Sequence, residues 1–293
     1  MADLTPKKTL IAEPANDIAI LPKASGEKRR ALRRWVNRIT WLFIILAPLV
    51  FVIAALGYKL GAFDLGFAFG TLNQKIGPLV LMLCGLTGMA SLLGAFIVKP
   101  RKGLVPAILG IAIMVFAFGK LLTTKKTVYE KLPFIHDVTT DTQDPPVFGK
   151  IIAGERATVK GVNTADYVGK TAPVFKNGER TDETKLVSAL QTKAFPEIRP
   201  LVLSETKDVV YGEALRVAKS MGWKIKEEDL AAGRIDATDT TFWYGFDDDI
   251  TIRLRDGKGG GTIVDVRSLS RIGGSDMGKN ADRVGEFLRR LAE

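Results

Sequence analysis

Three long runs of uncharged, apolar residues constrain this chain more than any other feature. They cover residues 39–58, 76–98 and 103–122, and the third is interrupted only by Lys120 near its end. Each run approaches the roughly 20 residues that a helix, rising about 1.5 Å per residue, needs to cross about 30 Å of hydrocarbon. A buried helix of a water-soluble protein usually carries a polar stripe, which these runs lack. The sequence therefore predicts three transmembrane helices.

The position of the charged residues predicts an orientation. Residues 1–127 carry 17 Lys and Arg against five Asp and Glu, whereas residues 128–293 carry 25 against 27. Six of the cations lie in segment 27–38, just before the first run, and three lie between the second and third runs. Such clusters are retained on the cytoplasmic side of a membrane. We therefore expect a cytoplasmic N-terminus and a C-terminal part on the far side of the membrane. In a bacterium with a double envelope, this is an inner-membrane protein with a periplasmic C-terminal part.

These patterns divide the chain into three parts. Residues 1–38 are expected to form a flexible, basic cytoplasmic tail, residues 39–122 the transmembrane region, and residues 123–293 a periplasmic domain. The formal net charge of +10 does not indicate nucleic-acid binding, because the excess lies outside the C-terminal part, which is slightly acidic. Since Cys84, in the second run, is the only cysteine, a disulfide, a cysteine-ligated zinc site and a cysteine nucleophile are excluded for that domain.

Small residues recur at helical spacing in the second and third runs. Such stripes let helices approach closely, which favours packing within the bundle, with homo-oligomer contact as the alternative. The spans hold no ionisable residue except Lys120, which argues against a transporter. The stripes consist of Cys84, Gly88, Ser91 and Ala95 in the second run and of Gly103, Ala107 and Gly110 in the third.

The C-terminal part reads as a mixture of short strands and amphipathic helices. Residues 149–180 show little periodicity and are predicted to be loops. The predicted fold is an α+β soluble domain, an antiparallel sheet with helices packed on one face, following three transmembrane α-helices. Its predicted helices are 182–194, 207–221 and 278–291, and its predicted strands are 201–203, 223–227 with 234–244, 250–255 and 262–269.

Four segments of this part resemble a known family. The segments are HDVTTDTQDPPVF (136–148), LQTKAFPEIRPL (190–201), MGWKI (221–225) and VDVRSLSRIGGSDMGKNADRVGEFLRRL (264–291). Together they resemble the bacterial domain of unknown function 1499 family, in which similar proteins place this domain after a few membrane spans. The resemblance supports the domain boundaries and implies no activity, cofactor or substrate.

The last of these segments contains the most suggestive candidate site. A strand runs into a Gly-rich turn and then into the start of a helix, where free backbone N–H groups and nearby guanidinium groups can hold an anion. Asp276 competes for the same donors as a helix cap. The candidate anion- or ligand-binding residues are Arg267, Ser270, Arg271 and Ser275.

Two weaker patterns suggest other chemistry. His136, Asp137 and Asp141 combine an imidazole with carboxylates and are weak metal candidates, although their spacing fits no calcium loop. The alternative function is an envelope hydrolase or transferase that uses carboxylates of Asp141, Asp144 or residues 247–249. It requires two of these carboxylates to meet in one cleft. We expect cross-strand ion pairs among Arg253, Arg255, Asp265 and Arg267 on an exposed sheet face.

The absence of a recognisable catalytic motif favours a function without catalysis. The sequence contains no P-loop, dinucleotide fingerprint or Ser-His-Asp arrangement, and no cofactor is expected. The predicted function is a non-enzymatic binding or scaffolding module for an envelope component, either a protein or a lipid or glycan headgroup, attached to the lipid bilayer.

Overall fold

The computed structural model describes residues 23–176, 179–257 and 259–293, and it describes their side chains except at 23–25 and 125–130. Most of the predicted N-terminal tail, residues 1–22, lies outside the described residues. The basic segment before the first apolar run is helical and belongs to α1, Lys23–Lys59. Its many Arg and Lys residues are good helix formers, so the helix begins well before the apolar run.

Three helices are long and apolar enough to cross a membrane. They cover Gly26–Lys59, Gly66–Ile97 and Leu104–Thr124, and their apolar 18-residue windows have mean hydropathies of 2.7, 2.1 and 2.2. Ile45, Leu93 and Phe116 are among the many large apolar side chains exposed on them. Surfaces of this kind are stable in lipid rather than in water. The chain is therefore a membrane protein, as the apolar runs predicted.

The helices have slightly different bounds from the predicted spans. After α1 a π-helical segment, Gly66–Ile76, continues directly into α2, Gly77–Ile97. The continuous helix therefore begins at Gly66, before the predicted second span of 76–98. The third helix, α3, runs over Leu104–Lys131 and so extends beyond the apolar run.

Among the described residues, the first of two compact units comprises 23–47 and 80–114. Buried polar side chains join its helices. The Thr40 hydroxyl lies 2.9 Å from the Ser91 hydroxyl, and Arg33 donates to the carbonyl oxygens of Val98, at 2.7 Å, and Pro100. Such bonds satisfy groups that hydrocarbon would leave without a partner.

The small residues of α2 and α3 pack against each other inside this unit. A Cβ atom added to Gly88 would stand 3.0 Å from the Ala107 carbonyl oxygen, and one added to Gly110 would stand 2.9 Å from that of Cys84. Larger residues at either position would push the two backbones apart. Packing within the bundle is thereby confirmed. The homo-oligomer hypothesis for the same faces stays a prediction.

The second unit comprises 48–79 and 115–293 and contains a six-stranded antiparallel sheet. Its strand order is β1-β8-β7-β6-β5, and β4 also pairs with β8. Residues 267–269 of β8 pair with β1 and residues 262–264 with β4, so these two short strands share one edge of β8. The strands are β1 Asp137–Thr139, β4 Leu201–Leu203, β5 Lys224–Asp229, β6 Arg234–Thr240, β7 Asp247–Asp256 and β8 Thr262–Ser270.

Two helices cover one face of this sheet and form the core with it. They are α6, Lys207–Ser220, and α7, Lys279–Leu291. Val284 and Phe287 of α7 are fully buried, and the Phe287 ring stacks on Trp223 with 5.2 Å between centroids. The predicted fold class, an antiparallel sheet with helices after three apolar helices, is confirmed.

Further elements lie outside that arrangement. The predicted loop region 149–180 contains α4, Lys150–Ala157, and β2, Thr171–Lys176. The predicted helix 182–194 is helical only in α5, Val187–Ala194. The residues before it belong to β3, Glu179–Leu186, which pairs with β2 in a separate hairpin. This pairing is a tertiary contact that local helical periodicity does not reveal.

We expect the α7 contact with the sheet to carry much of the domain's stability. Replacing Phe287 with Ala should lower the free energy of unfolding by about 3–5 kcal/mol, since the ring is fully buried. The measurement is thermal and chemical unfolding of the full-length protein in detergent. Val202→Ala, at an exposed strand position, should change stability little. Equal effects of the two substitutions would contradict this account of the core.

Candidate functional site

The face of the six-stranded sheet opposite α6 and α7, here called the polar face, is rich in buried charges. Successive strand residues point to opposite sides, so Ile250 and Ile252 face the helices whereas Asp249 and Thr251 face away from them. All four residues are fully buried. Asp265 and Arg267 of the predicted exposed face are buried as well, whereas the side chain of Arg255 is 40% exposed, so the exposed face was predicted correctly only in part.

Arg271 lies at the centre of one group of ion pairs on this face. Its Nη2 donates to Asp249 Oδ1 at 2.7 Å and to Glu155 Oε2 at 2.6 Å. Arg156 of α4 donates to the other Asp249 oxygen at 2.8 Å. These carboxylates raise the pKa of Arg271 despite its burial, which acts to lower it. Arg271 is therefore held as a charged, fully engaged cation.

Arg267 forms a second group with the start of β1. Its Nε and Nη2 donate to the two oxygens of Asp137 at 3.0 and 2.9 Å. The Lys170 amine donates to the same carboxylate at 2.7 Å. Arg267 also lies over the Phe148 ring, 5.2 Å from its centroid. Two cations thus share one buried carboxylate.

The acidic residues named as possible catalytic pairs also lie in ion pairs. Asp141 and Asp144 both accept hydrogen bonds from Arg253. Arg253 and Arg255 pair with Asp265 as well, so the predicted cross-strand pairs of these residues are confirmed. Residues 247–249 begin β7 instead of forming a hairpin tip, and they pair with Arg271, Arg283 and Arg156.

The structure separates the four residues predicted to bind an anion. Arg267 and Arg271 lie on the polar face in the ion pairs described above. Ser270 lies on the helix side, where its hydroxyl accepts a hydrogen bond from Asn280 at 3.0 Å. Ser275 lies in the turn before α7, and its hydroxyl accepts from the Met277 N–H at 3.2 Å. Anion binding by these four residues stays a prediction.

Asp276 occupies the backbone donors at the start of α7. Its two carboxylate oxygens accept from the Gly278 N–H at 2.9 Å and from the Asn280 N–H at 2.8 Å. An anion at this helix end would have to displace Asp276. Burial raises the pKa of Asp276 to about 6, although these two N–H groups act to lower it. Between pH 3.8, the ordinary pKa of an Asp side chain, and about pH 6, the folded protein binds more protons than the unfolded chain. The contribution of Asp276 to the free energy of unfolding therefore decreases as the pH rises through that window.

A pocket of about 200 Å³ lies on the other side of the same turn, and we call it the His136 pocket. Gly274 forms part of its wall, and a side chain at that position would stand 2.7 Å from the Phe134 ring. The polar lining is His136, Asp137, Lys170, Thr171 and Arg180, and the apolar lining includes Phe134, Ile135, Ala172, Pro173 and Val187.

The charges around this pocket are predominantly positive. Asp137 is neutralised by Lys170 and Arg267. Arg180 takes part in none of the ion pairs found within the described ranges, and Glu183 on its own strand pairs with Lys176 and Lys185. Lys170 and Arg180 line the pocket with one carboxylate, Asp137, which Arg267 also neutralises, so a positive excess remains that suits an anionic group.

The surroundings of His136 favour the uncharged form of its imidazole. Burial lowers the pKa of its imidazole, and the nearby Lys170 lowers it further, while the Gly274 carbonyl 3.2 Å from Nδ1 and the charge of Asp137 oppose them. A neutral imidazole can donate one hydrogen bond and accept another. His136 was predicted as a metal candidate, and the structure places it instead in a pocket with two cations.

The predicted metal candidates do not assemble into a ligand cluster. In the part of the chain that the structure describes, no group of three His, Cys, Asp or Glu side chains is arranged to hold a metal ion. Asp137 and Asp141 are each bound by arginine. The weak metal hypothesis thus has no support in the geometry of these side chains.

Sequence reasoning missed Lys170 and Arg180 as pocket residues. Each lies in a segment without a recognisable motif, and Arg180 reaches the pocket because the β2–β3 hairpin folds beside β1. The only signal in the sequence is the positive charge of the two side chains, which most surface Lys and Arg residues share.

Comparison with known proteins gives one result. A family profile described as "Protein of unknown function (DUF1499)" matches residues 137–291. This match covers more than half of the chain and begins at β1. A search of curated proteins finds no match.

The pocket gives a direct expectation for the only histidine of the chain. The NMR signal of His136 in the full-length protein, purified without a histidine tag, should titrate with a midpoint below the ordinary pKa of 6.5. Inorganic phosphate in the pocket should raise that midpoint, because an anion stabilises the imidazolium. Sodium chloride at equal ionic strength is the control. A midpoint at or above 6.5 without phosphate would contradict the environment described here.

Proposed function

The chain belongs to the family of proteins of unknown function numbered 1499, and we propose that it is a membrane-anchored, non-enzymatic module that binds an anionic component of the cell envelope. The His136 pocket is the proposed binding site. The observation that carries the proposal is the combination of Arg180, Lys170 and a neutral imidazole in one cavity. The ligand chemistry that this arrangement favours is a phosphate or carboxylate group.

The apolar part of the pocket favours a ligand that is only partly polar. Phe134, Ile135 and Val187 line one side. Apolar walls with a few convergent polar groups are typical of small-molecule sites. A lipid headgroup with its glycerol, or a charged glycan substituent, has this character.

Ion pairing of the acidic residues supports a function without catalysis. A general acid or base needs a pKa near the working pH and access to the reacting group. Asp249 is fully buried between Arg156 and Arg271, and Asp141 lies between Arg253 and Arg255. Both carboxylates are thus engaged by guanidinium groups. Neither residue is placed to exchange protons with a ligand.

The proposed location is the inner membrane of a bacterium. The cations before and between the apolar runs support a cytoplasmic N-terminus. With that orientation, three crossings support a periplasmic location for the family domain, where lipid and glycan headgroups are available. A role as a scaffold for an envelope protein fits the same location.

Ligand binding should raise the thermal stability of the full-length protein in phosphatidylcholine nanodiscs. Inorganic phosphate or glycerol 3-phosphate at ten times its Kd contributes about 1.4 kcal/mol, which corresponds to a Tm increase of roughly 3–5 °C. The readout is tryptophan fluorescence during heating, with sodium chloride at equal ionic strength as reference.

Two variants locate the effect. Arg180→Gln should abolish the phosphate-dependent increase in Tm. Lys185→Gln, on the same strand and paired with Glu183, should retain it. If both variants respond like the unmodified protein, the His136 pocket is not the binding site.

The orientation is tested by reporter fusions. Alkaline phosphatase, which requires disulfides formed in the periplasm, should be active when fused after Glu293. The same enzyme fused within the loop between α2 and α3, after Lys102, should be inactive. If a green fluorescent protein fused after Glu293 is fluorescent and the phosphatase fused there is inactive, the domain lies in the cytoplasm.

A further inference from the structure

The loop between β6 and β7 carries two exposed aromatic side chains. Phe242 is 77% exposed and Trp243 59% exposed, and their rings contact edge to face with 5.3 Å between centroids. The loop itself is well defined, because Thr241 and Phe246 exchange hydrogen bonds across it. Neighbouring exposed aromatic residues on an ordered loop usually mark an interaction surface.

This loop is attached to the end of the first membrane helix. Lys59, the last residue of α1, donates a hydrogen bond from Nζ to the Phe242 carbonyl oxygen at 2.8 Å. Its amine also lies 5.3 Å from the centroid of the Phe242 ring. The exposed pair is therefore held beside the residue at which the membrane helix ends.

A cluster of four rings strengthens this attachment. Tyr58 of α1 lies 5.4 Å from Phe246, and Phe69 of the π-helical segment lies 5.4 Å from Tyr244. Tyr244 and Phe246 stack at 5.2 Å. The loop backbone is fixed by these contacts, while Phe242 and Trp243 keep most of their surface exposed.

The end of a membrane helix fixes the depth of the loop. Tyr and Lys at the end of an apolar run lie at the level of the lipid headgroups, and Trp and Phe are stable in the same layer. We propose that Phe242 and Trp243 insert into the headgroup region of the bilayer that α1 crosses, so that a lipid surface is the partner of this loop. The proposal concerns a surface separate from the His136 pocket and holds for either orientation of the protein.

The lipid surface is favoured over a protein partner for a physical reason. A side chain held beside Lys59 is already close to lipid, so contact requires no second molecule. The aromatic pair is flanked by the Lys59 amine, and lipid phosphates are complementary to that cation. Insertion by about 5–10 Å would place the two rings at the boundary between headgroups and acyl chains.

The test measures lipid contact at single positions of the full-length protein in phosphatidylcholine nanodiscs. Cys84→Ala removes the only native thiol, and an environment-sensitive fluorophore is attached at Phe242→Cys or Trp243→Cys. Lipids with a nitroxide near the headgroup should quench these labels about twofold or more beyond a label on Leu230→Cys. Leu230 is also exposed but precedes β6, whose seven residues separate it from the loop by about 23 Å.

Two results would overturn the proposal. Quenching at 242 and 243 no greater than at 230 would mean that the loop does not touch lipid. Labels protected from both the nitroxide lipid and a water-soluble quencher would mean that a protein or a second copy covers the loop.

A second measurement avoids the labels. In the unlabelled protein, brominated phosphatidylcholine should quench Trp243, so the conservative Trp243→Phe variant should lose part of the lipid-dependent quenching. An unchanged quenched fraction in a variant with the same Tm would also overturn the proposal.

Discussion

The match between buried arginines and carboxylates on the polar face is the constraint on which the domain depends. Arg271 and Arg156 converge on Asp249, and Arg267 converges with Lys170 on Asp137. Removing one partner of a buried pair typically costs about 3–5 kcal/mol, because the other charge stays buried without compensation. The same pairs hold α4 and β1 to the sheet, and β1 leads directly into the His136 pocket. Charges that were candidates for ligand binding are thus largely used to build the fold, which moves the proposed site to the neighbouring pocket, where Arg180 has no ion-pair partner among the described residues.

The predictions from sequence were most successful where one pattern of apolar residues, either continuous or periodic, extended over a long segment. The three apolar runs, the stripe of α7 with Ala281 and Val284, and the alternation in β7 and β8 all gave elements of the correct type. The apolar runs are apolar on all sides because lipid surrounds them, and the periodic patterns result from apolar residues collecting on one face of the element, so the local sequence carries the tertiary information. The antiparallel sheet followed from the short connections between these strands, and the helices on one face followed from their single apolar stripes.

The candidate site was less predictable, for reasons that particular residues show. Arg267 and Ser270 are three positions apart in one strand, and alternation therefore places them on opposite faces of the sheet. Their proximity in the chain had suggested a common anion site. Asp276 was correctly named as a competitor for the donors of α7. Lys170 and Arg180 reach the pocket through the position of a hairpin whose pairing depends on distant contacts, and residues 182–186 lacked a local signal for the strand they form.

The aromatic cluster around Tyr244 and Phe246 has a consequence for how this protein can be divided. The boundary suggested by the family match, at residue 137, is not a boundary of packing, since residues 48–79 belong to the same compact unit as the sheet. A fragment that starts after α3 would expose rings that Tyr58 and Phe69 cover in the intact chain. The family domain therefore cannot be joined to an unrelated membrane helix without loss of these contacts. A chain with a different first membrane helix would need other residues to pack against the rings of Tyr244 and Phe246.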